Sequence, residues 1–190
     1  MLTNPPLSGS HVRLRRVTLR DADLLELWQS LDYTGEYNDF GLAPHPVKEA
    51  IKKTGLMDEH RGTLVVERIA DGKPVGTVGW RAVAYGPNPQ SQAWNIGINL
   101  VPAGRGHGLG TEAQRLLADH LFATTPAHRI EAATDVDNLA EQRSLEKAGF
   151  HREGVLRGSQ FRHGAWHDLV VYSLVRVADG RAPQTIAEGS

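Results

Sequence analysis

The stretch that most limits what this chain can fold into is Leu100-Val101-Pro102-Ala103-Gly104-Arg105-Gly106-His107-Gly108-Leu109-Gly110-Thr111, with a glycine at every second position from 104 to 110. It joins an alternating run, Ala93 to Leu100, that reads as a strand, to Thr111–Ala123, where Leu116, Leu117, His120 and Leu121 share one helical face. Glycines at such a junction let backbone N–H groups come close to a ligand. Successive N–H groups ahead of a helix form an anion nest, and the helix dipole adds to it. Arg105 supplies a planar fork of donors suited to phosphate. The loop therefore suits a pyrophosphate; the alternative is a strand-to-helix turn that binds nothing. Two other phosphate motifs fail here. A P-loop needs Lys before its Ser or Thr, and Gly110 precedes Thr111. A dinucleotide fingerprint starting at Gly106-His107-Gly108 needs glycine at 111.

The rest of the chain supplies the frame. Val12 to Val17 reads as a first strand, and Thr18 with Asp21 as a helix cap close to a capping box. Leu24, Leu27, Trp28 and Leu31 recur at helical spacing, and Val47 to Leu56 forms a second helix behind Pro46. Between these helices runs an aperiodic, aromatic segment with Tyr33, Tyr37 and Phe40. Thr63–Ile69, the turn signal Asp71-Gly72, Val75–Ala84 and Ala93–Leu100 read as consecutive antiparallel strands. A strand at Ile130–Asp135, a helix at Asn138–Ala148 stopped by Gly149, and a hairpin turning at His163-Gly164 complete the order. The pattern predicts one α/β (α+β) domain over 1–178, with a loose tail at 179–190.

Composition removes several chemistries. The chain has no cysteine, which excludes a disulfide framework, a thiolate metal site and a cysteine nucleophile. Its net charge of -1 gives no overall field for nucleic acid or an anionic membrane. No apolar run approaches the ~18 residues of a membrane span. The N-terminal MLTNPPLSGSHVRLRR has no apolar core of a signal peptide, so a soluble, cytoplasmic protein is expected. His163, His167 and Asp168 cluster in the last hairpin, but alternation puts His167 and Asp168 on opposite faces; no metal site is expected.

Several of these segments carry a resemblance. Arg105-Gly106-His107-Gly108-Leu109-Gly110 resembles the R/Q-x-x-G-x-G/A loop of the GCN5-related N-acetyltransferase (GNAT) superfamily. Trp94 to Ile98 is similar to the strand that precedes it. Asn138 to Phe150 resembles the N-x-x-S-x-x-x-L-E-K-x-G-F helix of the ribosomal-protein-alanine N-acetyltransferase branch. Arg152–Arg157 and Trp166–Leu174 resemble that branch's closing hairpin, so the likeness runs from Val12 to Arg176.

The resemblance implies a mixed central sheet of about seven strands flanked by helices and splayed in the middle. It implies acyl transfer from acyl-CoA to an amine by direct attack, without a covalent enzyme intermediate. The implied donor is acetyl-CoA or another short acyl-CoA, with no metal. Ile98, Asn99 and Leu100 would flank the pantetheine arm. Arg105, Gly106, His107, Gly108, Leu109, Gly110 and Thr111 would hold the pyrophosphate. Asn138 would bond the pantetheine, or serve only as a helix N-cap. Where the branch often carries Ser, this chain has Glu141: a proton-transfer group or a capping-box acid. Ser144, one turn on, and Tyr172, on the closing strand, are the other candidate proton donors; for Tyr172, core packing is the competing reading. Tyr33, Tyr37 and Trp94 would line the acceptor site unless they too are core. The acceptor is a protein N-terminus or a small amine. A homodimer is a further expectation from the branch, and an acyl-CoA sensor without turnover is the rival function.

Overall fold

The computed structural model describes residues 6–176. The expected tail, 179–190, lies outside the described residues. The strands are β1 (Leu7–Ser8), β2 (Val12–Arg16), β3 (Arg61–Arg68), β4 (Lys73–Ala84), β5 (Gln92–Leu100), β6 (Arg129–Asp135), β7 (His151–Arg162) and β8 (Ala165–Val175). The helices are α1 (Ala22–Leu27), α2 (Leu31–Thr34), α3 (Lys48–Thr54), α4 (Leu109–Thr124) and α5 (Leu139–Lys147). All eight strands form one sheet in the order β1-β2-β3-β4-β5-β6-β8-β7, one more than the sequence pattern suggests. The extra strand is the two-residue β1, paired to β2, too short to leave an alternation signal.

Alternation decides what each face buries. Leu64 and Val66 of β3, Val78 and Trp80 of β4, and Trp94 and Ile96 of β5 share one cluster with Leu117 and Leu121 of α4 and Leu145 of α5. Val65 points the other way, into a smaller cluster with Leu25, Trp28, Val47 and Ile51 from the α1–α3 side. Central strands covered on both faces read as continuous apolar runs, which is what Leu64-Val65-Val66 is. Leu27 was expected on the apolar stripe but is half exposed, because α1 ends there and the helical period ends with it. The Thr18–Asp21 cap forms as expected: Thr18 N–H and Oγ1 both donate to Asp21 Oδ2, each at 2.8 Å. The final turn holds His163 at φ +50° and Gly164 at φ +77°, the two positive values a type I′ hairpin needs.

One irregularity in the sheet prepares the site. Every neighbouring pair is antiparallel except β5 and β6, which are parallel and pair only at Trp94 with Ile130 and Asn95 with Glu131. Beyond Asn95 the two strands separate. The half of the β5 peptide groups that face β6 between Ile96 and Leu100 therefore lacks strand partners.

Candidate active site

The glycine loop lies at the open end of that splay. Gly106 and Gly108 sit at φ +79° and +75°, and space around both is open where a Cβ would project. Gly108 is the N-cap of α4, and the first helical bond runs from Glu112 N–H to Gly108 O. The N–H groups at the start of α4 are thus the helix's orphan donors, aimed outward beside the dipole's positive end. Replacing Gly108 with Val is expected to weaken acyl-CoA binding about 10- to 100-fold, because a β-branched residue resists this backbone and re-aims the donors. Calorimetry with coenzyme A checks this, and unchanged affinity would remove the loop from the site.

Arg105 does not turn toward these donors. Its Nε donates to Leu100 O at 2.8 Å, and its Nη2 donates to Tyr33 O. This departs from the sequence expectation of a phosphate fork. The guanidinium leans on the end of β5 and reaches across it to the opposite layer, where the Tyr33 carbonyl accepts it.

On the α4 side, α4 and α5 meet over the splay. Ser144 Oγ lies 3.1 Å from Thr111 Oγ1 and accepts from Gln114 Nε2 at 3.0 Å. A Cβ at Gly110 would touch Leu100, Ser144 and Ile98 together, so the nest, the strand end and α5 share one corner. Ser144 is a bridge between helices at that corner. Gln114 is fully buried, with Oε1 unpartnered. Glu141 sits one turn before Ser144 and faces Gln114; burial pushes its carboxyl up to about 7, the Gln114 amide pulling the other way.

Both readings of Asn138 and Glu141 can now be separated. Asn138 Oδ1 accepts from Glu141 N–H at 3.3 Å, so Asn138 is the N-cap of α5. Its other amide atom donates to Thr134 Oγ1 at 3.0 Å. The Asn138 N–H donates to Asp135 O, not to the Glu141 carboxyl. The reciprocal half of a capping box is absent, and the carboxyl is left turned into the α4–α5 contact.

Two expected site residues belong to the core instead. Trp94 is buried and donates from Nε1 to Thr125 Oγ1 at 3.1 Å, so it does not line an acceptor site. Tyr172 has no exposed surface, and its hydroxyl donates to Glu146 Oε1 at 3.1 Å. A thiolate cannot reach it, which removes it as a proton donor. His107 is exposed on the loop, and Asn99 faces the side opposite α4 with its Oδ1 buried and unpartnered.

That opposite side is spanned by the aromatic segment. Tyr33 packs on the smaller cluster, and Tyr37 reaches the far wall of the splay. Tyr37 donates to Asp137 O at 3.2 Å, and Arg162 stacks on its ring at 5.5 Å. Arg162 is itself buried, donating to Asp135 Oδ2 at 2.6 Å and to Tyr37 O at 3.3 Å. His167 Nδ1 stands 3.3 Å from the same carboxyl oxygen. Burial alone would raise the Asp135 carboxyl, but the Asp137 N–H and the Arg162 guanidinium outweigh it and hold it below the usual range. Neither Arg162 nor Asp135 stood out in the sequence. Gln114 could have: it keeps phase with Gly110, Leu117 and Leu121 on the buried face of α4, a polar residue in an apolar stripe.

Comparison with known proteins agrees with this geometry. The family model for the acetyltransferase (GNAT) domain matches residues 11–151. "Probable N-acetyltransferase YjcK" of Bacillus subtilis is 38% identical over 110 residues, spanning 58% of this chain and 59% of that relative. "Uncharacterized N-acetyltransferase YoaA" of the same organism is 30% identical over 178 residues, spanning 90% of this chain and 97% of that relative. Among solved structures, Mycobacterium smegmatis RimJ in complex with CoA-disulfide superposes with a TM-score of 0.72 at 26% identity, over 86% of this chain and 81% of that one. A splayed parallel pair beside a glycine nest, a family match over most of the chain and a full-length relative converge: this chain belongs to the GNAT acetyltransferase family.

Proposed function

We propose that this protein transfers an acetyl group from acetyl-CoA to the primary amine of a compact, cationic acceptor, by direct attack in a ternary complex. The splay of β5 from β6 beside the nest carries this reading. The nest would take the pyrophosphate, the unpaired β5 backbone would align the pantetheine amides, and a β5 N–H would polarise the thioester carbonyl. The neutral amine adds to the carbonyl carbon, the C–S bond breaks, the amine nitrogen gives up a proton to solvent water, and the thiolate gains one. We assign the thiolate's proton to Glu141, whose carboxyl, pushed up to about 7 by burial, keeps a protonated fraction near neutrality and borders the corner shared by Gly110, Ser144 and Ile98.

The acceptor class rests on a second observation. The gap between the first helices and the closing hairpin is bridged by Tyr37 on Arg162, and by Asp39, whose carboxylate lies 3.6 Å from His163 Nε2. A bridged gap supports a compact amine over a protein tail. Glu36, Asp39 and Asp137 nearby suit a cation.

The test is calorimetry with acetyl-, succinyl- and free coenzyme A, followed by thiol release against spermidine, an aminoglycoside, free amino acids and Ala- and Ser-initiated peptides. Binding of acetyl-CoA with turnover on a small amine is expected. Turnover on peptides alone would overturn the acceptor reading. Binding without turnover on any amine would favour an acyl-CoA sensor.

A further inference from the structure

Resting on the acyl-CoA reading above, we infer that Arg105 is not a phosphate ligand but a positioning residue for the acceptor: it clips one end of a strap, Tyr33 to Asp39, across the mouth of the splay. Arg162 clips the other end. Arg105 is anchored on the end of β5 and Arg162 on the end of β6, so both sides of the splay hold one short segment.

On the β5 wall, Arg105 follows the strand by five residues and folds back, giving its Nε to Leu100 O at 2.8 Å. That bond fixes the stem of the guanidinium against the end of the strand. The Nη2 group then reaches Tyr33 O. Gly35 completes the seat: it stands at φ +74°, and a Cβ there would lie 3.3 Å from Arg105 Nη1. Only glycine combines that backbone with that approach. On the β6 side, Arg162 at the end of β7, paired to Asp135 at the end of β6, donates to Tyr37 O and stacks on the Tyr37 ring, while Tyr37 itself donates to Asp137 O. The strap packs on the layer of α1 and α3, whereas the nest opens at the start of α4 on the other layer. A guanidinium held between the end of β5 and a carbonyl of the α1–α3 layer is placed for the acceptor side.

A phosphate fork and a strap clip make opposite kinetic predictions. If Arg105 is the clip, its loss frees the strap and blurs the acceptor's seat, leaving the N–H nest intact. Arg105→Met keeps the stem and removes the donors. At saturating acetyl-CoA, with the panel amine of highest turnover, its acceptor KM is expected to rise about 10-fold or more, while coenzyme A binding by calorimetry stays within about 3-fold. Hydrogen exchange should show faster exchange of the amides at 33–39 in the variant. Gly35→Ala disturbs the same seat while leaving every residue of the loop unchanged, and should raise acceptor KM in the same direction with coenzyme A affinity unchanged.

Loss of coenzyme A affinity by about 10-fold or more with an unchanged acceptor KM would return Arg105 to the phosphate and overturn the inference. So would an unmoved acceptor KM in both variants. If Arg105→Met changes both quantities, Gly35→Ala decides between the two roles. Failure of the wild-type protein to bind coenzyme A at all would instead strike the acyl-CoA reading, so the two failures are distinguishable.

Discussion

Glu141→Gln is expected to lower kcat by about 100-fold or more while leaving coenzyme A affinity near that of the wild type. The side chains are nearly the same size, and glutamine can still meet Gln114 across the α4–α5 contact. What is lost is the acidic proton. With its carboxyl pushed up to about 7 by burial, Glu141 is protonated on the acid side of neutrality and ionised above it. A proton donor to the thiolate works in the protonated form, so the wild-type kcat should decline as pH rises through about 7. That descending limb should be missing from the variant. An unchanged kcat with an unchanged profile would end the assignment, and a limb rising through the same pH would make Glu141 a base.

The same carboxyl makes a second, opposite statement about stability. The folded protein holds this acid above its ordinary value, so the folded state disfavours the ionised form. The cost is absent below the unfolded value, grows as pH rises from it, and is complete above the folded value. By linkage it reaches about 3 kcal/mol at most. Glu141→Gln should therefore be more resistant to urea than the wild type at pH 8 and no more resistant at pH 4. A residue that harms stability at the pH where the enzyme would work is understandable if it serves the reaction.

The sequence carried the frame because the frame is periodic. Trp94 keeps phase with Ile96 and Ile98, and that alternation alone points it at the core; its choice as an acceptor residue set chemical appeal above phase. Tyr172 keeps phase with Val170, and that phase favours core packing, the competing reading for it, over a proton donor. The nest was legible because Gly106 and Gly108 stand where the backbone must turn left-handed. The direction of the Arg105 side chain was not, since a long flexible stem can serve either layer and spacing does not decide which. Asp135 and Arg162 are separated by 27 residues and meet only because β6, β8 and β7 are neighbours in the sheet. No local pattern marks such a pair.

That pair supports the largest expected loss of stability. Asp135→Ala is expected to destabilise the protein by about 3 to 5 kcal/mol, because it strands a guanidinium that the fold has already taken out of water. Arg162 and Asp135 retain only 4% and 2% of their side-chain surface, and Arg162 Nε is buried without a partner even in the intact protein. His167 would lose the same carboxylate. Removing both charges is a different perturbation. Asp135→Leu with Arg162→Met should recover much of the loss, since apolar side chains do not need the partner each ion needs. Urea unfolding of the two single variants and the double variant measures the coupling, and a single-variant loss below about 1 kcal/mol would show the pair to be effectively solvated. The pH dependence has a fixed sign. The Asp135 carboxyl is held below its ordinary value, so its contribution is complete above the unfolded value and disappears as pH falls through the folded one. The double variant should lose less stability on acidification than the wild type. It should also keep its fold while losing the Arg162 end of the strap, raising acceptor KM as Arg105→Met does from the other wall.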